Sequence, residues 1–261
     1  MPRSSSSTVR TVAKAATLAG LVAIVGLVGS TASATVEPGT PAKDVHVGLD
    51  DDNADNPFIQ PAGVRTAQHM DDTDVLFGRG NDDLLIGRLG GDTLLAGPGS
   101  DIMVGGPERG QQPANDVLVG DEGNDVSIWS PGDGNDAVIG NDGSDTMIFG
   151  PVVTKADGSL KLTSTRHRKV PHVRVDGYPR LGCTLAAFPS SRQPGYEYLV
   201  RLSWDGVPTA SVREKDIERV LCPGAKPGTV RVAFPHGSHP TDFRTVRLSS
   251  IGGLVGAIVR R

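Results

Sequence analysis

Between residues 74 and 150 the apolar positions come in short bursts separated by Gly and Asp. Runs such as Asp83-Leu84-Leu85-Ile86 and Ala137-Val138-Ile139 read as strands with one apolar side chain facing inward. The glycines between them, among them Gly78, Gly80, Gly97, Gly99, Gly123, Gly132, Gly134 and Gly143, let the chain turn tightly at positive φ. The unit is Gly-x-Gly-x-Asp-x-Φ-x, with Φ apolar. It is keyed by Asp74, Asp82, Asp92, Asp101, Asp116, Asp125, Asp136 and Asp145, at spacings of 8, 10, 9, 15, 9, 11 and 9. Self-similarity at so short a period predicts a solenoid, in which a unit buries its apolar face only when its neighbours stack on it.

Turn and strand alternate, so two units make one coil, and coils stack at about 4.8 Å. Stacking places one aspartate over the next. Carboxylates that close repel by about 1 kcal/mol even at the dielectric of water, and by more near a protein surface. A cation between them removes the repulsion. The turn offers only carboxylate and carbonyl oxygens, which favours Ca²⁺. The eight aspartates and the glycines beside them are therefore the candidate metal ligands. The alternative is a metal-free roll in which Asp and Asn only form turns.

The stretch resembles the hemolysin-type calcium-binding repeat, the RTX nonapeptide Gly-Gly-x-Gly-x-Asp-x-Φ-x. The resemblance rests on Gly97-Pro98-Gly99-Ser100-Asp101, Gly132-Asp133-Gly134-Asn135-Asp136 and Gly78-Arg79-Gly80-Asn81-Asp82, and it implies a calcium-loaded parallel β-roll. Several units depart from the pattern. Arg88 to Asp92 carries one extra residue, Pro107 to Ala114 interrupts the array, and Ile128 to Pro131 lengthens a unit. Asp121 and Asn141 stand where that family prefers glycine. These departures predict a handful of ions rather than one per turn.

From Pro151 the Gly-Asp units stop. Short alternating runs take over: His172 to Val175, Tyr196 to Trp204, Ala210 to Arg213, Thr229 to Phe234 and Phe243 to Leu248. They predict a small antiparallel β domain, with a helical turn within Val212 to Leu221. Leu248 to Val259 reads as a terminal strand or docked segment. The fold class is thus all-β: a parallel β-roll over 71–150, then a β domain over 151–261. Its cysteines, Cys183 and Cys222, are the chain's only two. In an exported protein they form a disulfide, and the rival reading is a pair of free or redox-active thiols.

Charge sharpens the division. Residues 71–150 hold sixteen acidic and three basic residues; residues 151–261 hold eight acidic and eighteen basic. Without cations the acidic block repels itself, which argues for disorder. Arg3, Arg10 and Lys14, the apolar run Ala15 to Val28 and the Ala32-Ser33-Ala34 site predict a secretory signal peptide over 1–34. The apolar run is too short for a spanning helix. Residues 35–70 read as a polar lead-in ending in a capping strand near Val64. Its Asp50 to Asp55 run lacks the glycine and glutamate of an EF-hand.

No His-Glu-x-x-His and no Gly-x-Ser-x-Gly is present, so catalysis is not expected. His236 and His239 read as a loop, and His167 and His172 as part of a solvated basic patch. Trp129 and Trp204 read as core or cap residues. The expected partners are calcium ions, with an anionic cell-wall polymer as a candidate for the basic region. Nucleic acid and a membrane span are not expected.

Overall fold

A computed structural model describes residues 36–37, 45–47, 74–106, 115–157, 159–165, 168–189 and 195–259, within the unit Ala32–Arg261. The signal segment, the Asp50 to Asp55 run, the strand expected near Val64, and His167 lie outside the described residues. The described residues fold into strands with one short C-terminal helix. Strands β1 (Val36–Glu37) and β2 (Val45–Val47) come first. The repeats supply β3 (Val75–Phe77), β4 (Leu84–Ile86), β5 (Thr93–Leu95), β6 (Ile102–Val104), β7 (Val117–Gly123), β8 (Val126–Trp129), β9 (Ala137–Gly143) and β10 (Thr146–Phe149). Odd strands enter one sheet and even strands the other, all parallel to their neighbours. This is the expected β-roll, and β1 and β2 add a first coil ahead of Asp74.

Two inward rows run along the roll. Leu76, Leu94, Leu118 and Val138 stand in register on one sheet. Leu85, Met103, Ser127 and Met147 do so on the other. Apart from Ser127, all belong to one buried cluster, so burial closes the coil only when the next coil is in place.

The second half comprises β11 (Leu162–Ser164), β12 (Lys169–Pro171), β13 (Leu181–Ala187), β14 (Tyr198–Trp204), β15 (Val207–Lys215), β16 (Arg219–Pro223), β17 (Thr229–Ala233) and β18 (Arg244–Arg247). Its pairings are antiparallel with two exceptions. Strand β15 runs parallel to β9, and β16 runs parallel to β10. Val207 to Pro223 therefore forms one more coil of the roll, and each sheet grows to eight strands. The helical turn expected within Val212 to Leu221 is instead this strand–turn–strand. The alternation of Val212 and Glu214 inward with Arg213 and Lys215 outward has period two, which suits a strand.

Leu248–Ser250 makes a 3-10 turn and α1 (Gly253–Val259) a short helix, so the end of the chain docks as a helix and not as a strand. Val255, Ile258 and Val259 pack with Val170, Val173 and Val175 over the outer face of the even-numbered sheet, against Ile102, Val126, Ile128 and Ile148. That cover explains why β6, β8 and β10 are buried at every residue, while β3 and β5 alternate. Among the described residues no helix is long and apolar enough to cross a membrane. Cys183 on β13 and Cys222 on β16 are joined with their Cα atoms 6.2 Å apart, which staples one sheet to the other.

Candidate metal-binding turns

The key aspartates form two ladders. In each, a carboxylate oxygen accepts the backbone N–H of the aspartate one coil earlier. On one side Asp74 donates to Asp92 Oδ1 at 2.8 Å, Asp92 to Asp116 at 2.8 Å and Asp116 to Asp136 at 3.1 Å. On the other, Asp83 donates to Asp101 at 2.5 Å, Asp101 to Asp125 at 2.7 Å and Asp125 to Asp145 at 2.8 Å. All eight side chains are buried. The second ladder has a further rung that the repeat pattern did not reveal: Asp145 donates to Glu218 Oε2 at 2.6 Å, from the turn between β15 and β16. Acidic residues near the end of an apolar run were the only sequence signal for it.

The ladder corrects one residue of the reading from sequence. Asp83, not Asp82, holds the periodic position, which restores a spacing of nine on both sides and removes the extra residue assigned to Arg88 to Asp92. Asp82 lies beside it with its side chain 48% exposed, and its Oδ1 accepts the N–H of Ser100 at 3.1 Å.

One oxygen of six of these carboxylates, those of Asp92, Asp101, Asp116, Asp125, Asp136 and Asp145, is thus committed to the backbone. The Oδ2 atoms of Asp101, Asp125 and Asp145 are buried and have no hydrogen-bond partner. Asp125 Oδ2 and Asp145 Oδ2 each lie beside a glycine where a side chain would not fit. A Cβ on Gly120 would collide with Asp125 Oδ2 and lie 2.9 Å from the carbonyl oxygen of Gly140; one on Gly140 would collide with Asp145 Oδ2. A Cβ on Gly78 would lie 2.7 Å from Asp83 Oδ2 and collide with the Ala96 carbonyl. Carboxylate and carbonyl oxygens therefore converge where glycine leaves room.

The electrostatics match. Burial is the main cause that pushes Asp101 up to about 7, with repulsion from Asp125 and Asp83 adding to it and the Asp83 amide opposing it. Burial likewise pushes Asp145 to about 7 and Asp125 and Asp136 to about 6, in each case against the backbone hydrogen bond that lowers it. Buried carboxylates in this state take up either a proton or a cation. Among the described residues no three His, Cys, Asp or Glu side chains gather at one point. An ion held here would take much of its shell from backbone carbonyls, and an oxygen-only, flexible donor set fits Ca²⁺ rather than a transition metal.

The other candidates fall unevenly around this frame. Gly97 (φ 88°), Gly123 (146°) and Gly143 (152°) occupy left-handed turn positions, and Gly99 packs against the Asn81 carbonyl. Asp121 (81°) and Asn141 (68°) adopt the same left-handed backbone where the motif prefers glycine. Gly80 has no close neighbour but the Pro98 carbonyl, 3.8 Å from a built Cβ. Gly132 and Gly134 belong to a different turn. There Ser130 N–H donates to Asp133 Oδ2 at 2.6 Å, and the Trp129 indole donates to the Gly134 carbonyl at 3.2 Å. Trp129 packs on Phe149, and Trp204 packs edge-on to Tyr178 beneath Arg180, both as core or rim residues. His236 bridges Glu197 and Glu218, at 3.1 and 3.7 Å.

The fold and these turns define a calcium-type β-roll. Residues 70–107, 113–126 and 132–151 match the family model of the RTX calcium-binding nonapeptide repeat, in four copies. No curated protein matches the chain.

Proposed function

We propose that the protein is exported and binds calcium outside the cell, where ion binding and closure of the roll are one event. The observation that carries this is the pair of buried, unpartnered Oδ2 atoms on Asp125 and Asp145, in successive coils, beside Gly120 and Gly140 and close to the carbonyl oxygens of Gly140 and Asp216. Inside the cell calcium is scarce and the acidic block stays loose. At the about millimolar calcium of the exterior, ions replace protons on the ladders. An ion that binds only the folded chain stabilises it by about 2.7 kcal/mol per site at a hundredfold excess over Kd. The ligands are Asp83, Asp92, Asp101, Asp125, Asp136 and Asp145, with carbonyls of neighbouring glycines, and the role is binding rather than catalysis. Circular dichroism and thermal melting of the chain from Thr35 test this: calcium raises strand content and melting temperature over chelator, and identical curves end the proposal.

A second reading is favoured by the charge of the later half. Lys155, Lys161, Lys169, Arg174, Arg201, Lys226, Arg244 and Arg247 are all exposed. In this reading they dock the protein on an anionic wall polymer and the roll is a rigid spacer. Salt-sensitive retention on isolated walls supports it, and retention unaffected by reversing Arg244 and Arg247 to Glu counts against it.

A further inference from the structure

One cation already sits in the acidic turns, and it belongs to the protein. Arg168 starts the return leg of the β11–β12 hairpin. Its backbone is fixed by Thr165, whose N–H donates to the Arg168 carbonyl at 2.8 Å and whose Oγ1 accepts the Arg168 N–H at 3.0 Å. From there the side chain crosses to the roll. Its guanidinium donates to the Ser100 carbonyl at 2.5 Å and to the Asp83 carbonyl at 3.4 Å, and lies 3.5 Å from Asp82 Oδ2. The side chain is only 8% exposed. It also bears electrostatically on Asp101 and Asp125, the next two rungs.

We infer that Arg168 is a built-in counter-ion that holds the turn oxygens of Asp82, Asp83 and Ser100 in place of a calcium ion, and so sets how many ions the roll takes. This rests on the calcium-binding reading above. The chemistry is competitive. A guanidinium carries only donors and a positive charge, and it seeks the same carbonyl and carboxylate oxygens that a calcium ion does. A divalent ion at that turn would be repelled by the fixed charge and deprived of the Ser100 carbonyl. The later turns, at Gly120 to Asn124 and Gly140 to Ser144, have no arginine donating to them among the described hydrogen bonds. The first turn of the column is therefore neutralised from within, and the later ones depend on metal.

The test is calcium titration of the mature chain by calorimetry, paired with melting in calcium and in chelator, for wild type, Arg168→Ala and Arg168→Gln. Gln can keep a carbonyl contact but not the charge. Both variants are expected to bind one more calcium ion per chain than wild type. Both melt well below wild type in chelator and recover most of that loss in saturating calcium, because the added ion replaces the lost charge. An unchanged ion count with the same drop in melting temperature in both buffers would mean that Arg168 is only a structural tether, and would overturn the inference. If Arg168→Ala does not fold, Arg168→Gln is judged by the same two readings, and a Gln variant that folds in neither buffer also overturns it. A wild type that binds no calcium refutes the parent reading instead.

Discussion

Glu214 should make this protein less stable as pH rises, and removing its charge should abolish that loss. Strand β15 places Glu214 in register with Val138, so it extends the apolar row Leu76, Leu94, Leu118 and Val138. It is 0% exposed, and neither carboxylate oxygen has a hydrogen-bond partner. Across β14 it faces Tyr198. Burial is the main cause that pushes its pKa from an ordinary 4.5 to about 8, and Glu197, Asp216 and Glu218 add repulsion.

The folded state thus holds a proton that the unfolded chain releases above pH 4.5. Between pH 4.5 and 8 the native form binds more protons, and stability falls by about 1.4 kcal/mol per pH unit from this group alone. The full loss, reached above pH 8, is on the order of 5 kcal/mol, and none of it is present below pH 4.5. Urea unfolding of wild type and Glu214→Gln, both in saturating calcium, isolates the effect as a difference between two curves. The two should agree well below pH 4.5, where Glu214 is protonated in both states. Gln should become the more stable by a margin that grows to pH 8 and then levels. A margin independent of pH would refute the assignment of Glu214 as a buried acid.

Two further outcomes follow from the stacking and the staple. Gly123 has φ 146° and lies over the Gly99 carbonyl, whereas Gly206 has φ 83° with nothing within 4 Å of a built Cβ. Gly123→Ala should therefore cost about 3 kcal/mol or more and Gly206→Ala about 1 kcal/mol, read as melting temperatures in calcium; equal effects would show that the turn carbonyls do not crowd this position. The Cys183–Cys222 bond closes a separation of 39 residues between the two sheets, so replacing both cysteines with Ala should cost about 4 kcal/mol in the chain-entropy model, and a loss below about 1 kcal/mol would place the constraint elsewhere.

The roll was legible because its constraint repeats. Each coil must bring a short apolar strand, a turn that tolerates a carbonyl beneath it, and one acid that caps the amide below. Those demands return an aspartate after nine residues at five of the seven steps from Asp74 to Asp145. What the repeat hid was its phase at Asp82-Asp83, where two acids stand side by side and only burial separates them. It also hid the end of the roll. The added coil of β15 and β16 lies 73 residues beyond the last rung in sequence, from Asp145 to Glu218. It bears no Gly-x-Gly-x-Asp for a physical reason. In the preceding coil five residues, Gly140 to Ser144, separate Ile139, the partner of Lys215, from Asp145, and Gly143 passes directly over the Gly123 carbonyl and must be glycine. The last coil turns through only Asp216 and Ile217 before Glu218 and never reaches over that column, so the glycine requirement lapses. The acid keeps the place that Asp145 has in the coil before, one residue ahead of the strand, but it is a glutamate. The motif fades where its cause ends, although the stack continues, so the last coil of such a roll is found from sheet register and an acid of different length rather than from the repeat.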